Sequence, residues 1–198
     1  MQFDDTLLVS RCLQGDTDAY GKLVERYQRA VYATAFYYVG RYGAAEDIAQ
    51  DAFFTAYRSL PRLREPSRFG PWLKEIACRT AANWLRKHSK RLRSETPLPF
   101  RRTVSIEDAR ENPRGTVERQ ERFERVQEAI DLLPEHYRLP VILRYLQELS
   151  YEEIANFTGE SRDEVRGTLY RAGRQLRDAL TDLEDTSEGT QQWPRARE

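Results

Sequence analysis

Two helix starts stand eleven residues apart in the C-terminal third of the chain, and each is written as a capping box. Ser150-Tyr-Glu-Glu153 and Ser161-Arg-Asp-Glu164 place a hydroxyl at the cap and a carboxylate three residues later. Each pair answers backbone N–H groups that the first turn of a helix leaves without partners. Gly159 lies between them, where a tight turn needs positive φ. The spacing predicts a short helix from Tyr151 to about Phe157 and a longer one from Arg162 to about Leu180, which is a helix-turn-helix.

The longer helix has two faces. Val165, Leu169, Ala172 and Leu176 recur at helical spacing and are predicted to face a core. Arg162, Arg166, Tyr170, Arg171 and Arg174 point elsewhere. A major groove admits one such helix, and arginine pairs with guanine in two-pronged fashion or holds phosphates. Arg162, Arg166 and Gly167 are early enough to meet base edges, and Gly167 permits close backbone approach. A plain hairpin with a solvated basic face is the bland reading. The twin caps, the turn glycine and the separate arginine face together favour duplex DNA binding.

The rest of the chain is also helical in pattern. Only 10 Gly and 9 Pro interrupt 198 residues, so long helices are the default reading. Helices are predicted over Asp4 to Leu13, from Asp16 or Thr17 to about Val39, and from Ala44 to Leu60, where Pro61 stops the third. Pro61 to Gly70 reads as a loop, and Pro71 suits the first turn of a fourth helix. Ser94 to Thr116, with three prolines and few apolar anchors, reads as a linker. Helical spacing resumes near Val117, and Pro134 opens another helix that Pro140 either kinks or truly starts. The fold expected is all-α: two small helical domains, residues 1–93 and 117–183, joined by a flexible linker at 94–116. A polar tail at 184–198 follows.

Two N-terminal stretches carry candidate sites. On the third helix Ile48, Ala52 and Ala56 form a core stripe, while Asp47, Gln50, Asp51, Phe54 and Arg58 lie off it. A polar surface with an embedded aromatic suits a protein partner. In the loop, Arg62, Arg64 and Arg68 interleave with Phe69, and Arg79, Asn83, Trp84, Arg86 and Lys87 follow on the next helix. Cations beside aromatics hold single-stranded nucleic acid, with bases stacked or flipped. Trp72 is expected in the core.

Formal net charge is zero, which argues against an unspecific coat for nucleic acid, but bases concentrate from Arg86 to Arg102. Cys12, Cys78, His88 and His136 are too scattered for a disulfide framework or a metal site. No carboxylate set, Ser/His pair or phosphate-cradling glycine loop points to catalysis, so neither enzyme activity nor a cofactor is expected. Asp4 and Asp5 replace the basic start of a signal peptide, and no apolar run approaches a membrane span. A cytoplasmic protein is therefore expected.

With both halves in view the chain resembles an extracytoplasmic-function (ECF) RNA polymerase sigma factor of the sigma-70 family. Four stretches carry the resemblance: residues 8–16 with Ala19-Tyr20, Ala45 to Asp51, Phe69 to Ala77, and Leu132 to Arg138 leading into Leu149 to Ala155 and Val165 to Ala172. The resemblance implies a non-catalytic specificity subunit of RNA polymerase. It implies that Asp47, Gln50, Asp51, Phe54 and Arg58 dock on a coiled coil of the largest polymerase subunit. It implies further that Arg62 to Phe69 and the helix after them, with Arg79, Asn83, Arg86 and Lys87, open the −10 promoter element and capture an unpaired base. The helix-turn-helix, with Arg162, Arg166, Gly167, Tyr170, Arg171 and Arg174, would read the −35 element beside the flap of the second-largest subunit. An anti-sigma factor is an implied partner. Two departures stand out: Arg79 and Asn83 occupy positions where relatives commonly carry Asn and an acid, and Gly167-Thr168 replaces larger polar or basic residues. The rival reading is a stand-alone helix-turn-helix regulator.

Overall fold

The structure, a computed structural model, describes residues 4–40, 42–95 and 129–189. Most of the expected linker and the first part of the helical stretch expected from near Val117, up to residue 128, lie outside these residues. Every regular element among the described residues is helical. Contacts divide them into two compact units: residues 4–95 with Ile142–Val165, and residues 129–141 with those from Arg166 onward. This differs from the division expected in the sequence, because residues 142–165 cluster with the N-terminal helices.

In the first unit, α1 (Asp5–Leu13) is capped by Asp4, whose carboxylate accepts from the Thr6 N–H. Asp16 caps α2 (Thr17–Val39) in the same way through Ala19. That backbone bond, with the Arg11 guanidinium, holds the Asp16 carboxyl below its usual range. Helices α2, α3 (Tyr42–Ser59) and α4 (Phe69–Glu95) pack on one another, and α1 packs on α2. Small residues make this close: Ala30, Ala33, Ala45, Ala52, Ala56, Ala77 and Ala81 are all buried at the seams. Leu8, Leu23, Ile48 and Leu73 fill the space between them. The loop between α3 and α4 is two short 3-10 turns, Leu60–Arg62 and Pro66–Arg68, each with a proline in its first positions. Helix α4 starts two residues before Pro71, which then sits in the first turn, where its missing N–H is harmless.

In the second unit a helix ending at Leu132 is followed by Pro134 and α5 (Glu135–Val141). Arg138 reaches back across the turn and donates to the Leu133 and Asp131 carbonyls, both at 2.7 Å. These bonds satisfy carbonyls freed at the helix end. Ile130, Leu133, Tyr137 and Val141 supply its apolar interior.

Pro140 neither starts α5 nor ends it. It lies in the last turn, and a π-helical turn follows at Ile142–Leu146. The proline has no N–H for the His136 carbonyl and crowds it, and the α register gives way two residues later. The π turn closes through Gln147 N–H to Ile142 O at 3.2 Å, with Glu148 at φ 55°. Arg144 then fixes the exit: its guanidinium donates to Leu149 O at 2.8 Å and lies 5.1 Å from the Tyr151 ring centre.

Helix α6 (Tyr151–Thr158) and helix α7 (Arg162–Gly189) complete the helix-turn-helix. Helix α7 runs well past Leu180 and takes in residues 184–189, which the sequence places in the polar tail. Residues 190–198 lie outside the described part.

Candidate nucleic-acid and polymerase interfaces

Both capping boxes form. The Ser150 and Ser161 N–H groups each donate to the paired glutamate at 2.7 Å, and the glutamate N–H groups donate back to the serine oxygens at 3.2 Å. For Glu164 the Ser161 N–H, then its hydroxyl, holds the carboxyl below its usual value. For Glu153 burial pushes upward, but the Ser150 bonds and the Arg29 charge outweigh it and the carboxyl is again lowered. Gly159 turns the chain with φ 81°.

On α7, Val165, Leu169 and Ala172 are buried, whereas Arg162, Arg166, Tyr170, Arg171 and Arg174 are exposed. Tyr170 is 79% exposed, so this aromatic is offered to a partner rather than to a core. A Cβ built on Gly167 would meet an Arg171 guanidinium nitrogen at 3.4 Å, an ordinary van der Waals contact, so Arg171 lies beside the glycine on this face.

Helix α3 presents Asp47, Gln50, Asp51, Phe54 and Arg58 to solvent, opposite buried Ile48, Ala52 and Ala56. Phe54 is 61% exposed, and the Arg58 guanidinium lies 5.6 Å from its ring centre. An exposed aromatic ringed by charges is the anatomy of a contact hot spot. Tyr20 braces this helix from below: its hydroxyl donates to Phe53 O and its ring meets Tyr57 edge-on at 4.8 Å.

The candidates on the loop and α4 fall into two groups. Arg62, Arg79, Asn83 and Lys87 line a groove of about 740 Å³ between α3 and α4, with Trp72 and Trp84 in its wall. Asp51 and Thr55 border the same groove, so the α3 surface and the α4 cations share one depression. Trp84 is half-buried and stacks on His88 at 4.2 Å with the rings 23° apart. His88 is held by its Nδ1 contact to Trp84 O at 2.8 Å. The i, i+4 spacing of these two rings was the sequence signal for the stack. Arg86 is not part of this lining but donates to Asn83 Oδ1 at 3.0 Å. Arg64 and Arg68 line a second depression of about 470 Å³ with Pro71, Lys74 and Thr158, and Arg62 borders both depressions.

Phe69 is a correction. It was expected to stack on a base, but its side chain is fully buried as the first residue of α4. Its ring lies 5.6 Å from Tyr27 and 5.9 Å from Trp72. It anchors the basic loop to the core, and Trp72, expected to be buried, is the half-exposed aromatic of the pair.

An all-helical chain with a capped helix-turn-helix, a hot-spot helix and a cationic, aromatic-walled groove is a DNA reader built to work on another protein. Two sequence families match it: Sigma-70 region 2 over residues 23–91 and Sigma-70 region 4 over residues 123–176. The ECF RNA polymerase sigma-E factor of Escherichia coli K12 is 35% identical over 176 residues, covering 86% of this chain and 91% of that protein. The RNA polymerase sigma-H factor of Pseudomonas aeruginosa is 34% identical over 187 residues, covering 92% and 96%. The chain belongs to the ECF RNA polymerase sigma factors of the sigma-70 family. Among solved structures it is similar to CnrH in complex with the cytosolic domain of CnrY, with TM-score 0.56 and 23% identity over 93% of this chain and 99% of that one. It is similar as well to the sigma factor RpoE of Bartonella quintana in complex with the anti-sigma factor NepR, with TM-score 0.51 and 20% identity over 82% and 96%. These likenesses support the all-helical fold. Among the described residues no helix is long and apolar enough to cross a membrane.

Proposed function

We propose that this sigma factor gives core RNA polymerase its promoter specificity through three surfaces with separate tasks. Asp47, Gln50, Asp51, Phe54 and Arg58 on α3 dock on the coiled coil of the largest polymerase subunit, with Phe54 as the apolar anchor. The groove holding Arg62, Arg79, Asn83 and Lys87 takes the opened strand of the −10 element. Its guanidinium and ammonium groups hold phosphates, and the half-exposed Trp72 and Trp84 offer faces on which bases stack. Arg64 and Arg68 lie on the adjacent depression and extend the cationic track, with Arg86 beyond it. Strand opening is then driven by trapping bases, with no covalent chemistry and no cofactor. Helix α7 enters the major groove of the −35 element with Arg162, Arg166, Tyr170, Arg171 and Arg174, near the flap of the second-largest subunit.

The observation that carries this reading is α7 itself: one helix behind a formed capping box, with Val165, Leu169 and Ala172 buried, Leu176 half-buried and its arginine face exposed. A stand-alone helix-turn-helix regulator would account for α7 but not for the match to Sigma-70 region 2. Two solved likenesses are complexes, one with a cytosolic domain and one with an anti-sigma factor, which supports regulation of this chain by an anti-sigma partner in the cytoplasm. The test is transcription in vitro with purified core polymerase and upstream DNA fragments. Wild-type protein should give a specific transcript, and the Arg166→Ala, Arg171→Ala double variant should lose it while still binding core polymerase. Unchanged transcription by the double variant would remove α7 as the reader.

A further inference from the structure

The groove and the smaller depression beside it share three lining residues, Arg62, Trp72 and Glu75. A cation and a half-exposed aromatic suit a strand of nucleic acid. Glu75 does not. It is exposed on α4, and cations line both depressions that it borders: Arg79 and Lys87 in one, Arg64, Arg68 and Lys74 in the other. Asp51 and Glu65 each border one depression, and Glu75 is the acid common to both. Among the described residues it shares no hydrogen bond or ion pair, so both carboxylate oxygens keep their capacity to accept.

Its place on the helix sets what it meets. Trp72, Glu75 and Arg79 follow one another at i, i+3 and i+7, so successive members are neighbours along one helical face. Helical side chains lean toward the N-terminus, so Glu75 lies over the turn of Trp72, and Arg79 over the turn of Glu75. A base stacked on the Trp72 indole therefore turns its edge toward a carboxylate with a guanidinium behind it. Phosphates are repelled from that point, so the strand passes with its backbone at the cations and a base at Glu75. An unpaired base offers its Watson–Crick edge. Guanine carries two adjacent donors there, N1–H and the N2 amino group, which match the two carboxylate oxygens, and its O6 accepts from a guanidinium. Cytosine and adenine offer one amino group beside a ring-nitrogen acceptor. Thymine offers N3–H between two carbonyl oxygens. Each of these three sets an acceptor against the carboxylate, which leaves a desolvated oxygen unanswered.

We infer that Glu75 is a specificity-determining residue of the groove: its carboxylate selects an unpaired guanine stacked on Trp72, with Arg79 donating to the guanine oxygen. The inference rests on the reading of this groove as the −10 site and deepens it. It gives a task to an acid for which a phosphate-holding groove has no use, and it assigns one base to one position of the element. The plainer role for Glu75 is a solvated partner one turn before Arg79. Such a pair acts on helix stability and leaves base preference alone.

The test is transcription in vitro by core polymerase with this protein, from a promoter located by start-site mapping and varied to carry every base at each −10 position. Wild type should favour guanine at one non-template position by about fivefold or more, the lower end for a two-pronged contact. Glu75→Ala should lose that preference and keep those at the other positions. Because Glu75 is exposed, the variant should keep the wild-type thermal midpoint. Inosine, which lacks only the N2 amino group of guanosine, gives a second reading. On a template already unpaired over the −10 element, guanine-to-inosine exchange at that position should weaken binding of the wild-type holoenzyme several-fold. The Glu75→Ala holoenzyme should not distinguish the two bases. No guanine preference at any −10 position, or one that survives Glu75→Ala, would overturn the inference. So would a uniform gain across the library with unchanged preferences, which marks a charge that only repels phosphates. Equal sensitivity to inosine in both proteins would overturn it as well. If wild type yields no specific transcript at all, the sigma reading fails and the inference falls with it, whereas a specific transcript with unaltered preferences in the variant removes the inference alone.

Discussion

Arg166 and Arg171 stand exposed on α7, and Arg171 lies beside Gly167. A two-pronged arginine–guanine pair discriminates by about 1–3 kcal/mol, so each single alanine change should cost roughly five- to 150-fold at its own promoter. A change that weakens all promoters equally would mark a phosphate contact instead, and a randomised −35 library distinguishes the two. Phe69 belongs to a different class of residue. Its ring is buried, and truncation to alanine should cost about 3–5 kcal/mol of stability. Phe69→Ala should therefore lower the thermal midpoint markedly. An unchanged midpoint with a strand-opening defect would return Phe69 to the DNA surface. Sequence patterning could not separate it from Phe54, since both are aromatics set among arginines or acids. What separates them is that Phe69 lies where Tyr27 and Trp72 converge, and only the packing of α2 on α4 reveals it.

At the scale of elements the capping boxes were fully legible, because cap, carboxylate and turn glycine all lie within a few residues. Their electrostatics make a prediction. Glu153 and Glu164 both have carboxyls held below the ordinary value of 4.5. A folded value below the unfolded one stabilises the fold above about pH 4.5, and this contribution is lost as pH falls through the folded value. Acidification from pH 5 downward should therefore cost helical signal, and Glu164→Gln should flatten the pH dependence by removing one titrating cap. An identical acid titration in that variant would show that the box contributes nothing. Helix α3 makes a separate prediction. Asp51→Arg with Phe54→Ala should weaken binding to core polymerase by at least about tenfold, the loss typical of a hot-spot pair, while leaving −35 duplex binding unchanged. Equal affinity in a pull-down titration would take the docking role from this helix. The π turn after Pro140 was not legible. The proline signalled a break, but whether the chain kinks, restarts or widens depends on Arg144 and Leu149, which fix the exit.

At the scale of the molecule the all-helical class and the order of elements follow from periodicity, scarce glycine and proline, and caps. The association of residues 142–165 with the N-terminal helices does not. Gly70 and Asn156 are far apart in the chain, and no local pattern pairs them; the glycine is explained only by the carbonyl that meets it. The groove was half legible. Its cations were evident, but their distribution over two depressions that share Arg62 required the three-dimensional course of the loop. The central claim is that one chain joins a polymerase-docking helix to two DNA readers and acts only with the enzyme. The most direct measurement is start-site mapping of transcripts made in vitro by purified core polymerase from a genomic fragment library, with and without this protein. The account predicts a discrete set of starts that appear only with the protein, each preceded by shared sequence blocks near −35 and −10. Specific binding of duplex at full strength without polymerase, together with no new transcript start, would contradict it.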